Sequence, residues 1–210
     1  EICRTMIDIL PGMDIKEKKK KLRKEIIARR DSLSDLERDA ASKRIRESLF
    51  GLSEFKNAKS VHFFISFGSE VITTGMIRDA IKMGKKVVVP FIDRDKKMLR
   101  LSELRDFDKE LESGYWGIQE PKKECMREVV IDDVELMVMP GVAFDGKGHR
   151  LGYGMAFYDK LIAGRKVTMP LVAITFDMQV VDDVPVAGHD VLIDKIVTEK
   201  RVIVKGEVKG

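Results

Sequence analysis

Met139-Pro-Gly-Val-Ala-Phe-Asp-Gly-Lys-Gly-His-Arg-Leu-Gly-Tyr-Gly-Met-Ala-Phe-Tyr-Asp159 is the stretch that decides the fold. An apolar run from Val134 to Met139 stops at Pro140-Gly141 and gives way to a segment holding Gly146, Gly148, Gly152 and Gly154. A helix is expected over about 155–163. Strand, glycine loop and helix N-terminus in that order suit an anion. Glycines let the backbone approach a phosphate closely, and free N–H groups with the helix dipole attract its charge. Arg150 adds a forked cation, and Asp159, one turn into the helix, is placed to hold a metal beside a phosphate. The segment is neither a Walker A loop nor G-x-G-x-x-G, so no generic nucleotide motif applies. On spacing alone, a plain surface loop competes with the phosphate site.

The elements on either side extend the pattern. Residues 16–30 read as a helix with Leu22 and Ile26 on one side and Lys19 and Arg23 four apart beside it. Ser34-Asp-Leu-Glu37 is a capping-box pattern that starts a second helix, ending near Gly51. Val61 to Ser66 predicts a buried strand, and Thr74 caps a helix that Gly84 ends. Lys86 to Ile92 predicts the next strand, its Val87-Val-Val89 continuous enough for a parallel sheet buried on both faces. A turn over 93–97 and a partly exposed strand over 98–104 follow, then an irregular stretch from Glu112 to Pro121. Leu171 to Phe176 and Val197 to Val204 predict the last strands. Helices alternating with apolar strands indicate an α/β fold, layered around a mostly parallel central sheet. Ligands in such sheets sit at the C-terminal ends of strands, where Ser66 to Glu70, Pro90 and Pro140 to Asp159 fall.

Composition limits the function classes. The chain has 210 residues, 44% apolar and 35% charged, with six prolines, as expected for one folded domain over 16–210 behind a flexible extension over 1–15. No run has the length of a membrane span, and the N-terminus lacks a basic-then-apolar signal pattern. Cys3 and Cys125 are too few for a disulfide framework, so a reduced cytoplasmic setting is expected. Lys16 to Arg30 holds nine basic and two acidic residues, leaving the remainder net negative within a total of +4. No aromatics interleave with these cations, so a solvated helix face is the commonest explanation and nucleic acid is not an expected partner. His62, inside an apolar strand, reads as a core residue. His149 could touch a phosphate, and the eleven methionines read as packing.

Lys19-Lys-Lys-Leu-Arg23, Ile65-Ser-Phe-Gly-Ser-Glu70, Gly114-Tyr-Trp-Gly-Ile-Gln-Glu-Pro121, Met139-Pro-Gly141 and Arg150-Leu-Gly-Tyr-Gly-Met-Ala-Phe-Tyr-Asp159 together resemble the 5-formyltetrahydrofolate cyclo-ligase family, also called methenyltetrahydrofolate synthetase. The resemblance runs from about Lys18 to Glu199. It implies a three-layer α/β sandwich and the ATP- and Mg-dependent closure of 5-formyltetrahydrofolate to 5,10-methenyltetrahydrofolate, through phosphorylation of the formyl oxygen, with release of ADP and phosphate. Chemistry of that kind needs positioning and charge neutralisation more than a covalent nucleophile, and no Ser-His-Asp or Cys-His set is evident.

The resemblance also implies residue roles. Lys19 and Arg23 would hold ATP phosphates, as would the loop of Arg150, Leu151, Gly152, Tyr153, Gly154, Met155, Ala156, Phe157 and Tyr158. Arg150 and Tyr153 would be catalytic. Ile65, Glu70, Trp116 and the loop from Tyr153 to Phe157 would border the folate, with Glu70 accepting from the pterin and Trp116, beside Tyr115, covering a flat ring. Asp159 and Asp194 would share a magnesium ion, and His189-Asp190 would be structural. The substrate is then a small molecule, and a monomer or weak homo-oligomer is expected. Where the family loop reads Gly-Tyr-Gly-Gly-Gly-Tyr-Tyr-Asp, this chain has Met155, Ala156 and Phe157. Ala156 penalises a positive φ that glycine would tolerate. A non-catalytic nucleotide- or folate-binding module of the same fold is the alternative, and a nucleic-acid-binding protein using the basic helix is a more distant one.

Overall fold

Alternation in the apolar strands is what builds the layers. Val87 and Val89, Leu136 and Val138, and Val172 and Ile174 pack on one face of a sheet. Val88, Met137, Met139, Leu171 and Ala173 pack on the other, as the two-residue period of a strand requires. The computed structural model describes residues 14–114, 117–186 and 191–206. Residues 1–13, Tyr115, Trp116 and His189-Asp190 therefore lie outside the described residues.

Five strands form the parallel centre: β1 (Ser60–His62), β2 (Lys86–Asp93), β7 (Leu136–Met139), β10 (Leu171–Ile174) and β11 (Lys195–Val197). Antiparallel β12 (Val202–Val204) closes one edge, and β3 (Met98–Leu104) with β6 (Glu128–Val129) closes the other, in the order β12-β11-β10-β7-β1-β2-β3-β6. Helices α2 (Asp35–Gly51), α3 (Ser53–Asn57) and α4 (Thr74–Lys82) bury Ile45, Leu49, Phe55, Met76 and Ile77 on the first face. Helix α5 (Phe157–Ala163) buries Ile162 on the second. The expected three-layer α/β arrangement is present. No helix among the described residues is long and apolar enough to cross a membrane.

Several boundaries differ from expectation for local reasons. The first helix, α1, spans Ile15–Asp31 because Asp14 caps it, accepting from the Glu17 N–H at 2.8 Å. The last two residues assigned to an N-terminal extension thus belong to the domain. The Ser34–Glu37 capping box forms as expected. The strand expected through Ser66 ends at His62. The chain then turns, and Ser66 and Thr73 clasp each other side chain to backbone. Thr73, not Thr74, stands at the N-cap of α4, and its hydroxyl serves that clasp instead of the helix. The irregular stretch over 112–121 contains a short hairpin, β4 (Leu111–Ser113) with β5 (Gln119–Pro121). The strand expected over 197–204 is two strands, β11 and β12, around a turn in which the Thr198 hydroxyl accepts from the Lys200 and Arg201 N–H groups.

Strand β1 connects to β2 on one side, while β7 leads to β10 and β11 on the other. The chain therefore reverses direction across the sheet between β1 and β7, and a crevice opens above their C-terminal ends.

Candidate functional site

The decisive glycine segment is not one loop. Residues Ala143–Phe144 (β8) and Arg150–Leu151 (β9) pair as a hairpin, so Gly146 and Gly148 sit at its tip. Asp145, fully buried, organises that tip. Its Oδ1 accepts from the N–H groups of Lys147 and His149, and its Oδ2 from the Val184 N–H at 2.9 Å and from His149 Nδ1. His149 is thus tied to the hairpin through Nδ1 and does not line the cavity in the crevice. Gly148 has φ +89°, and a Cβ there would lie 2.5 Å from the Ile193 carbonyl, so the tip packs where only glycine fits. The cavity-facing part of the segment is Pro140, Arg150 and most of Gly152 to Asp159.

That part lines a cavity of about 490 Å³ in the crevice above β1 and β7. Its walls include Ile65, Phe67 and Glu70 after β1, Pro90 to Ile92 from β2, Ile118 just before β5 with Gln119 and Glu120 from it, and Pro140, Arg150, Gly152, Tyr153 and Met155 to Asp159. Residues 150–159, 65 and 70, assigned from distant parts of the sequence, therefore meet at one place, although not every side chain faces the opening. Leu151 is buried against Leu22 and Ile26 of α1, so it anchors the loop instead of facing a ligand.

Opposite charges divide the walls. Arg150 is 8% exposed; its Nη1 donates to the Pro140 carbonyl and its Nη2 to Asp159 Oδ1 at 2.9 Å. Its buried Nε has no hydrogen-bond partner among the described residues, a donor left over for a ligand. Arg23 reaches the loop from α1, its Nε donating to the Gly152 carbonyl at 2.7 Å, and its guanidinium lies beside Gly154. Partial burial lowers the Arg23 pKa without threatening its charge. Lys19 stands one turn before Arg23 on the same face. Helix α5 has seven residues, with Ala156 at its N-cap in the left-handed region (φ 53°). Such a short helix adds only a partial charge beside the full charges of Arg150 and Arg23.

On the acidic side, Glu70 is 9% exposed. Its Oε2 accepts from the Phe67 N–H at 3.0 Å and its Oε1 from the Tyr153 hydroxyl at 2.5 Å. Burial raises the Glu70 pKa, opposed by the Tyr153 hydroxyl, the Phe67 N–H and the Arg30 charge. Tyr153 exposes half its surface, but its hydroxyl lies inside, and burial and the Glu70 charge push its pKa up. Glu120 adds a second carboxylate to the wall, accepting from the Ile92 N–H.

Asp194 is not brought to this site. It precedes β11 and accepts from the Leu171 N–H through Oδ2 and from Lys205 Nζ through Oδ1. Leu171 pairs with Met137, three residues before Pro140, which is roughly 10 Å of strand. Asp194 thus ties strand starts together while Asp159 stands at the strand ends. The shared two-aspartate metal site is withdrawn on that ground. Among the described residues, no group of three or more His, Cys, Asp or Glu side chains is arranged to hold a metal.

One residue was missed in the sequence. Arg30, buried at 4%, donates to the Tyr153 hydroxyl; its signal was the seven-residue spacing from Arg23, which puts both on one face of α1. Tyr158, expected in the ATP-binding loop, buries a hydroxyl with no partner among the described residues and sets its ring edge-on to His62.

Comparison with known proteins identifies the family. The model of the 5-formyltetrahydrofolate cyclo-ligase family matches residues 15–199. A 5-formyltetrahydrofolate cyclo-ligase of Mus musculus is 28% identical, over 90% of this chain and 98% of the relative. A probable one of Schizosaccharomyces pombe is 30% identical, over 89% and 97%. The solved structure of Aquifex aeolicus 5,10-methenyltetrahydrofolate synthetase superposes with a TM-score of 0.79 at 31% identity, covering 91% of this chain and 95% of that one.

Proposed function

We propose, from the premise that the chain belongs to the 5-formyltetrahydrofolate cyclo-ligase family and is an enzyme of it, that it converts 5-formyltetrahydrofolate to 5,10-methenyltetrahydrofolate using ATP and magnesium. The observation that carries this is the division of a single cavity into an acidic wall at Glu70 and a cationic wall at Arg150, with the 152–158 loop between them. Glu70 suits the donor edge of a pterin, and Ile65 and Phe67 give it an apolar surround. Arg150, its Nε–H without a partner among the described residues, and Arg23 behind the loop suit phosphates.

A formamide oxygen is a poor leaving group. In the proposed reaction it attacks the γ-phosphorus of the cosubstrate ATP, releasing ADP. N10 then attacks the activated formyl carbon, loses its proton, and phosphate departs as the ring closes. The protein's part is to hold the formyl oxygen near the phosphates, to meet their charge with arginine, and to exclude water. Asp159 keeps Arg150 in place through Oδ1, which leaves Oδ2 as its oxygen for an ion carried by the nucleotide. Magnesium at such a site would neutralise phosphate charge, and one carboxylate is enough because the ion takes its other ligands from phosphates and water. Lys19 and Trp116 are retained in the proposal on their family match alone.

The test is the absorbance of methenyltetrahydrofolate formed from 5-formyltetrahydrofolate. Product is expected only when both ATP and magnesium are present. A protein that forms none, assayed beside an active relative, would overturn the proposal.

A further inference from the structure

Arg30 has three features that a solvated helix residue lacks. It is 4% exposed, it stands two turns from Arg23 on the same face, and both its hydrogen bonds cross to distant segments. Its Nε donates to Ser69 Oγ at 2.9 Å and its Nη1 to Tyr153 Oη at 2.9 Å. Ser69 is itself bonded to the Asp31 carboxylate. Helix α1 is thereby fastened both to the turn that carries Glu70 and to the loop that carries Tyr153.

With Glu70 ionised, the chemistry of the three groups fixes the direction of the protons between them. A guanidinium only donates, so the Tyr153 oxygen is the acceptor in its bond with Arg30. The phenol proton is then directed to Glu70 Oε1, 2.5 Å away. The Phe67 N–H occupies Oε2. A carboxylate offers about four lone-pair positions, two per oxygen. One on each oxygen is used by the protein, and one on each remains. Two parallel acceptors side by side match a planar edge bearing two adjacent donors, such as an exocyclic amine beside a ring N–H. Burial alone favours a protonated Glu70, and Tyr153, the Phe67 N–H and Arg30 act against it.

We propose that Arg30 is a positioning residue for folate recognition: by holding the Tyr153 hydroxyl as a donor to Glu70, it makes Glu70 present two acceptors to the amino-pyrimidinone edge of the pterin. Arg30 does this from behind the cavity wall, without touching the ligand. The ligand half of the proposal rests on the function proposed above; the hydrogen-bond relay does not.

A double-mutant cycle tests it, read as the equilibrium dissociation constant for 5-formyltetrahydrofolate without ATP. Arg30→Met is expected to weaken binding about ten- to fiftyfold, and Arg30→Lys to restore part of the loss because it keeps a donor and a charge. In a Tyr153→Phe background the same Arg30→Met change should alter affinity by no more than about twofold, since the relay is already cut. Equal losses in both backgrounds would overturn the proposal, as would no loss in either. If Arg30→Met does not fold, as judged by circular dichroism, the cycle is run with Arg30→Lys under the same criteria. A folate-free measurement separates the two halves. The ¹³C resonance of the Glu70 carboxyl carbon should move in Arg30→Lys at fixed neutral pH, and an unmoved resonance would overturn the relay. A resonance that moves in a protein that binds no 5-formyltetrahydrofolate would keep the relay and overturn the ligand.

Discussion

At Ala156 the backbone takes φ 53° and ψ 24°, a left-handed conformation that is unfavourable for an L-residue by roughly 1–2 kcal/mol. Ala156→Gly should remove that strain, offset by about 0.4–1 kcal/mol from the greater freedom of glycine in the unfolded chain. The expected result is a protein more stable by roughly 0.5–1 kcal/mol, read as a higher urea midpoint at unchanged slope; a lower midpoint would show that the methyl group packs usefully. The position was legible in the sequence because alanine stood where the family loop has glycine. A residue-scale test also applies to the basic helix. Arg23→Ala should lose a charge-assisted contact of about 1.5–3 kcal/mol, ten- to a hundredfold in ATP affinity, and also the tie to Gly152. Lys20, exposed on α1, should tolerate alanine with little effect. Equal losses in a nucleotide titration would mean that the helix acts only through its total charge.

Elements were legible where periodicity runs for several turns or where a whole strand is apolar. Helices α1 and α2 and strands β2, β3, β7 and β10 followed from such patterns. What was missed has short-range causes that carry no apolar period. Strands β4 and β5 have three residues each, and polar Glu112 pairs with Glu120 across them. The turn between β11 and β12 contains neither glycine nor proline and depends on one threonine hydroxyl. The tip of the β8–β9 hairpin depends on Asp145, which a sequence shows as one more loop aspartate. Asp159 and Asp194 were hard to tell apart in the sequence for a related reason: similar local settings, a carboxylate near a strand or helix start, lie at opposite ends of the sheet. Their substitution should separate them. Asp159→Asn should release Arg150 and raise the magnesium concentration needed for turnover. Asp194→Asn should leave that requirement alone and lower stability by about 1 kcal/mol through its link to Leu171 and Lys205. A magnesium titration of activity, with urea melts of both variants, decides the matter, and an equal shift in both titrations would return Asp194 to the ion.

A parallel sheet covered on both faces leaves its central strands without water, and β1 carries a histidine into that interior. His62 is fully buried; its Nδ1 lies 3.2 Å from the Val138 carbonyl, and its Nε2 has no partner among the described residues. Burial pushes its pKa down to about 3, with the Val138 carbonyl opposing the shift only partly. The folded protein therefore holds His62 neutral through a range in which the unfolded chain, with an ordinary histidine pKa of about 6.5, binds a proton. Stability from this residue is complete above that value and is lost as pH falls from it toward 3, at about 1.4 kcal/mol per pH unit once the unfolded histidine is protonated. Glu70, whose pKa is raised by burial, works in the opposite sense: its contribution declines as pH rises through the interval above about 4.3. The two effects are separable by mutation. His62→Phe keeps an aromatic ring beside Tyr158 and removes the titration, although the Val138 carbonyl loses its partner. The variant should be somewhat less stable at neutral pH but should lose less on acidification, so that urea midpoints of the two proteins converge between pH 6 and pH 4. Midpoints that fall in parallel over that range would place the acid sensitivity in other groups and show that the protein relaxes around a charged His62. Because Tyr158 packs against His62 and lines the cavity, such a relaxation would reach the site itself. Acid loss of ligand binding should then precede global unfolding in the native protein and coincide with it in His62→Phe.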